Sequence, residues 1–114
     1  MDWTQADLSQ GLSWIKLRIG KTVALSAGSQ KNQWWSFSKQ AVIKRLDTIS
    51  GSETVIQFGF FDDSEFVAQL GNANLAISQR REGIDEAFAF EPLDKDLRVE
   101  ISTNAELLRD TSSN

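Results

Sequence analysis

The 114-residue sequence contains no cysteine, no histidine and no tyrosine, and these absences exclude several kinds of chemistry. Without cysteine the chain forms neither a disulfide framework nor a thiolate metal site. Without histidine it has no Ser-His-Asp or Cys-His catalytic centre and few means of binding zinc. Without tyrosine it loses the phenol as a general acid. We therefore expect no catalytic residue, no metal site and no cofactor, and we interpret the chain as a non-enzyme.

Carboxylates are the main catalytic groups left, so the enzymatic alternative is a small enzyme that uses carboxylates and a divalent metal. Its best candidates are Asp62, Asp63 and Glu65, whose oxygens are ligands that Ca²⁺ and Mg²⁺ prefer. Aspartate is also favoured in turns because it bonds to nearby backbone, which is the interpretation we prefer. The segment 19–22, IGKT, ends like a P-loop but lacks the earlier glycine, which favours a turn.

Long hydrophobic runs are absent as well, since no window approaches 18 consecutive apolar residues. The N-terminal stretch MDWTQADLSQ has neither the basic region nor the apolar region of a signal peptide. We expect a cytoplasmic protein with no membrane partner.

The supply of apolar residues suits a single domain over residues 1–114. Hydrophobic residues make up 40% of the chain and include four tryptophans and seven phenylalanines. A chain of this length buries roughly 65% of its unfolded surface, which is enough for one core without disulfide or metal cross-links.

Charge is divided unevenly between the two halves of the chain. Residues 1–50 hold seven bases, three acids and all four tryptophans, for a net charge of +4. Residues 51–114 hold five bases and thirteen acids, for a net charge of −8. This asymmetry is typical of a basic surface opposed to an acidic one, but strands that interleave from both halves would mix the charges.

The first residues predict a short N-terminal helix, over 1–12. Thr4 and Asp7 have the spacing of a capping box, and Gly11 offers a stop. A helix of about two turns is stable only when its apolar residues dock on the rest of the fold.

Alternation of apolar and polar residues predicts strands through the rest of the chain. The first is the segment 13–19, where Ile15, Leu17 and Ile19 alternate with bases before a turn at Gly20. The same alternation recurs at 23–25, 33–38, 53–61, 66–70, 75–77, 88–90 and 97–101. Turn residues separate these segments every eight to twelve positions, which is typical of antiparallel barrels and sandwiches.

Two segments carry a weaker pattern. Residues 39–50 combine helical spacing at Val42, Leu46 and Ile49 with β-branched content, and we prefer a strand. Residues 103–114 predict a weakly ordered C-terminal tail. The expected fold is mainly β, a single-domain antiparallel barrel or sandwich of about eight to nine short strands with a short N-terminal helix. The alternative is an α+β fold in which 39–50 is helical.

The stretch KNQWWSFSK, residues 31–39, predicts the candidate binding site. Successive side chains of a strand point to opposite faces, so Trp35 would enter the core with Phe37 and Trp34 would point outward. An exposed tryptophan beside bases is typical of protein interfaces and of single-strand nucleic-acid platforms. The structural alternative places Trp34 across from Gly59, where it would cover bare backbone.

We therefore expect a non-catalytic protein-binding module, such as an accessory subunit, adaptor or inhibitor. Its basic and aromatic face would meet a protein partner, or the acidic surface of another copy in a homo-oligomer. The alternative is a single-stranded nucleic-acid-binding protein that uses the same patch, which the net charge of −4 disfavours. The predicted partner-binding residues are Trp34, Lys31, Lys39, Arg45, Lys44 and Arg18.

Overall fold

The computed structural model describes residues 3–29, 31–32, 34–50, 53–79, 86–93 and 95–103, with the backbone alone for 34–36, 48–50, 53 and 79. Within these ranges the chain forms eight strands and one helix. In chain order they are β1 (Thr4–Ala6), α1 (Leu8–Lys16), β2 (Thr22–Ser29), β3 (Trp34–Ser50), β4 (Glu53–Phe60), β5 (Glu65–Gln69), β6 (Ala73–Gln79), β7 (Glu86–Pro92) and β8 (Arg98–Ser102).

All the described strands belong to one antiparallel sheet. Their order across it is β1-β6-β7-β8-β2-β3-β4-β5, so β1 and β5 are its two edges. Because these two described edges do not pair with each other, the sheet is open, as in an open barrel or a sandwich. The mainly β prediction is confirmed. The helical alternative for 39–50 is wrong, because these residues belong to β3.

One face of the sheet, which we call the inner face, carries the core. Leu25 on β2 lies opposite Ile101 on β8, and Ile101 lies opposite Phe88 on β7. Phe58 on β4 lies opposite Ile43 on β3. All five side chains are fully buried. Since alternate residues of a strand point to the same side, the remaining residues form the outer face.

Helix α1 packs on the inner face, against β6 and β3. Trp14 and Ile15 are buried, and the Trp14 ring stacks on Phe88 with centroids 5.5 Å apart. Gly11 lies at the close approach of helix and sheet, because a Cβ there would be 3.0 Å from Leu75 Cδ1 and 3.1 Å from Phe88 Cε1. Gly11 therefore permits the contact and does not end the helix as the sequence predicts.

The helix predicted over 1–12 is displaced along the chain, because Asp7 rather than Thr4 is its N-cap. Asp7 Oδ1 accepts a hydrogen bond from the Gln10 N–H at 2.8 Å, and Gln10 Oε1 accepts one from the Asp7 N–H at 2.9 Å. This reciprocal pair is a capping box three residues beyond the predicted one. Thr4 belongs to β1, opposite Ile77 on β6.

The strand predicted for 13–19 is wrong, because α1 continues through Lys16 and residues 17–20 form turns. Ile15 belongs to the helix and its side chain is fully buried, whereas Leu17 is 72% exposed. The alternation of apolar residues there therefore spans a helix end and a turn. The turn predicted at Gly20 is present, and Gly20 has the left-handed φ of 86° that suits glycine.

β3 is one strand of 17 residues, although the sequence presents it as separate shorter segments. Its register with β4 shifts between Ile43 and Arg45 and again between Thr48 and Ser50. Bulges of this kind bend a strand and increase its twist. They allow one long strand to pair with both β2 and β4 in a curved sheet.

The predicted tail, 103–114, lies outside the described residues after Thr103. Helix α1 is too short to cross a membrane, and no other described helix is long and apolar enough to do so.

We expect Gly11→Val to lower the free energy of unfolding by about 1–3 kcal/mol, because the added methyl groups enter the contact between α1, Leu75 and Phe88. Chemical denaturation measures this loss. Ser13→Val, at an exposed position of the same helix, is the matched control and should change little. Equal stability of the two variants would contradict the close packing of α1 on the sheet.

Candidate functional site

The structure does not gather the predicted basic residues on one face. Lys39 lies in register with buried Leu25, and its Nζ is 5.2 Å from the centroid of the Phe60 ring. Lys44 and Arg45 lie on the outer face of β3. Lys39 is thus separated from the other two by the thickness of the sheet.

The side chains of Trp34 and Trp35 lie outside the described part of the structure, so the predicted role of Trp34 stays a prediction. The backbone register between β2 and β3 is described, and it shifts by one residue between Trp35 and Phe37. The strict alternation that assigns Trp35 and Phe37 to the same face is therefore interrupted at this point.

Gly59 is covered by a residue other than the one expected. It pairs with Val42, eight residues along β3 from Trp34, so the register excludes Trp34 as its cross-strand neighbour. A Cβ at Gly59 would overlap the Lys44 side chain, whose Cγ would be 3.3 Å away. The aliphatic part of Lys44 therefore lies over this bare backbone, as long basic side chains often lie on apolar surface.

Arg18 is held within the fold. Its guanidinium lies 4.0 Å from the centroid of the Trp14 ring, Nη1 donates to the Trp14 carbonyl at 2.7 Å, and Nη2 forms an ion pair with Glu86. The side chain is 14% exposed. Burial lowers the pKa of the Arg18 guanidinium from its usual value, although arginine stays charged at neutral pH. Arg18 thus ties the end of α1 to β7.

A cleft of about 500 Å³ opens beside this ion pair. Its lining includes Leu17, Lys21, Thr22, Glu86 and Thr103. Arg18 also lines it but already donates to Trp14 and Glu86, so its charge is used in holding the fold together.

Lys31 is exposed in the turn that joins β2 to β3. Its backbone N–H donates to Asp96 Oδ1 at 3.0 Å, and the Ser29 hydroxyl donates to Asp96 Oδ2 at 2.6 Å. Asp96, in the loop before β8, therefore fixes this turn through its carboxylate. The carboxylate has a structural role here.

The edge strand β5 offers a different kind of site. The Phe60 N–H donates to the Ser64 carbonyl at 2.9 Å, and the Leu70 N–H donates to the Thr54 carbonyl at 2.7 Å. In an antiparallel pair, alternate residues turn their backbone groups toward the partner strand. The residues in this region that bond toward β4 are therefore Ser64, Phe66, Ala68 and Leu70.

The intervening residues Glu65, Val67 and Gln69, which we call the β5 edge, turn their N–H and C=O groups away from β4. In the part of the chain that the structure describes, no backbone group bonds to them on that side. Their side chains are exposed on the outer face, and Val67 at the centre is 57% exposed. With respect to the described ranges, the β5 edge is an unpaired row of donors and acceptors around an exposed valine.

Most proteins blunt such edges with lysine, proline, bulges or very short strands. β1, at the other edge of the sheet, has three residues and is protected by its shortness. β5 pairs with β4 over five consecutive residues without a shift in register, and its sequence EFVAQ has neither lysine nor proline. The β5 edge is therefore the less protected of the two.

Two of the predicted partner-binding residues lie near the β5 edge. Arg45 on β3 is in register with Gln57 on β4, and Gln57 is in register with Val67. Lys44 lies over Gly59, the residue opposite the first position of β5. The outer face beside the β5 edge therefore carries charges of both signs, since Arg45 is paired with Asp47 and Glu65 is exposed on β5 itself. Sequence reasoning identified the strand but gave no sign that it was an edge.

The turn before β5 has the local structure expected of it. Asp62 Oδ1 accepts hydrogen bonds from the N–H of Ser64, at 3.0 Å, and from its hydroxyl. These bonds hold the pKa of the Asp62 carboxyl below its usual value. Asp63 has a left-handed φ of 69°, and Phe61, two residues before it, is 67% exposed. Among the described residues, no group of three or more acidic side chains is arranged to hold a metal ion.

The fold is similar to that of the Bacillus subtilis YojF protein. The crystal structure of that protein aligns with a TM-score of 0.52 at 6% sequence identity, over 90% of this chain and 93% of that one. At this identity the likeness concerns the fold alone. No protein-family model matches the sequence, and no curated protein matches it.

We expect Arg18→Ala to lower the free energy of unfolding by about 1.5–3 kcal/mol, because it removes charge-assisted bonds that are largely shielded from water. The matched control is Arg45→Ala, which breaks an exposed pair with Asp47 and should cost about 0–1 kcal/mol. Denaturant titration of both variants measures the difference. Similar losses in the two would contradict the structural role of Arg18.

The Asp62 carboxyl gives the turn before β5 a dependence on pH. Its pKa is lowered in the folded state, so its stabilising contribution is complete above the pKa of an unfolded aspartate, about 3.9. The contribution is lost as the pH falls through the lower folded value. The Tm difference between wild type and Asp62→Asn should therefore shrink in acid, with Asp63→Asn as control. A constant difference down to acidic pH would contradict this.

Proposed function

We propose that this chain is a non-catalytic protein-binding module whose contact site is the β5 edge. The observation that carries the proposal is the row of backbone groups at Glu65, Val67 and Gln69, which no described residue pairs on the outward side and which centres on an exposed valine. An extended segment of a partner adds to such an edge as a new strand, with main-chain hydrogen bonds for affinity and alternate side chains for specificity. This mode requires no catalytic group.

The surroundings of the β5 edge support a protein partner. Exposed Phe61 lies at the turn that leads into the strand, and Lys44 and Arg45 lie on the outer face beside it. Apolar groups rimmed by charges are typical of protein interfaces.

The nucleic-acid alternative is supported less well. A single-strand platform combines aromatic side chains with one continuous basic groove. In the described ranges, Lys39 lies on the inner face whereas Lys44 and Arg45 lie on the outer face. The bases therefore do not line a common groove with each other.

We expect Val67→Pro to reduce capture of a partner at least tenfold, because proline removes the outward N–H at the centre of the edge while edge strands tolerate it. Val67→Thr keeps that N–H and is the matched control. Pull-down with crosslinking, from the organism that encodes the chain, compares wild type with both variants. Their melting curves confirm folding, and equal capture by all three would contradict binding through the β5 edge.

A further inference from the structure

We infer that the partner of the β5 edge is a second copy of this chain, joined by antiparallel pairing of β5 with β5 about a two-fold axis at Val67. This inference rests on the proposed function, because it names the occupant of the same site. A two-fold contact uses the same surface on both copies, so the strand must be complementary to itself. β5 meets this requirement on both faces.

The backbone register fits such a pairing. With the axis at Val67, this residue lies opposite Val67 of the second copy, and Glu65 lies opposite Gln69 of the second copy. These three are the residues whose N–H and C=O groups point away from β4. Each therefore faces a residue whose outward backbone groups have no partner among the described residues, and these donors and acceptors gain partners in the pairing.

The side chains on the outer face are compatible with the same register. The central pair joins two exposed valines, and each flanking pair joins a carboxylate to an amide, so no like charges lie directly opposite. The two Glu65 carboxylates are offset by four residues, about 14 Å along the strand. That offset exceeds the Debye length of about 8 Å at physiological salt, so their repulsion is screened.

The basic residues beside the edge do not oppose the contact. Arg45, Gln57 and Val67 are in register across three strands, so the two copies of Arg45 are separated by five strand spacings. Five spacings amount to about 24 Å, well beyond the screening length. On the inner face, half-buried Phe66 lies opposite Ala68 of the second copy, a large residue against a small one.

The exposed valine at the centre of β5 gains cover in this arrangement. Antiparallel pairing about the axis places the two Val67 side chains, each 57% exposed in the single chain, opposite each other on the outer face. Burial of the two valines adds apolar contact to the main-chain hydrogen bonds.

Introducing a charge at the axis tests the inference. Sedimentation velocity of the full chain over a range of concentrations should show a dimer. Val67→Lys or Val67→Glu alone should weaken the dimer at least tenfold, because each places two like charges directly opposite one another. An equal mixture of the two variants should dimerise again, since lysine then faces glutamate. Thr4→Lys, at the other edge of the sheet, is the matched control and should leave the dimer unchanged.

A monomer at every concentration would overturn the inference, as would a dimer that both charged variants retain. Larger open assemblies would also overturn it, because they require pairing between different edges. Failure of the dimer is distinguishable from failure of the proposed function. If the wild-type chain is a monomer and Val67→Pro abolishes its capture of another protein, the β5 edge is still the binding site. Only the second copy is then excluded as its occupant.

Discussion

The structure depends on an open sheet with a helix packed on its inner face. α1 reaches the sheet through Gly11 and places Trp14 on Phe88. The described edge strands β1 and β5 do not pair with each other, so the hydrogen bonds that would close a barrel are not formed. One edge is three residues long, and the other is the continuous strand β5. The candidate binding site follows directly from the failure of the sheet to close.

Polar contacts hold the elements around this arrangement in place. Arg18 joins the end of α1 to β7 through Glu86, and Asp96 fixes the turn between β2 and β3. These residues carry charges that the sequence alone assigns to a surface or to a loop. Their positions in the fold show why a list of bases is a poor guide to a binding face: several of the charges are already used inside the molecule.

The predictable part of the fold is the part governed by local pattern. Strands β4 to β8 carry their inner-face apolar residues at every second position, and Asn72 has the left-handed φ of 62° that a tight turn favours. The end of α1 could not be placed, because Ile15 and Leu17 fit a strand as well as a helix followed by a turn. The β5 edge could not be predicted either, since the order of strands depends on pairing between distant segments. The shift in register before Phe37 likewise has no signal in a single sequence.

Amide hydrogen exchange along β5 tests the central claim most directly, because it reads each backbone donor separately. Phe66 and Ala68 donate toward β4, so their amides should exchange slowly at every protein concentration. The amides of Glu65, Val67 and Gln69 should exchange rapidly in dilute solution and become protected as the concentration rises. Rapid exchange at Val67 under all conditions, including with a captured partner bound, would contradict the assignment of this edge as the binding site.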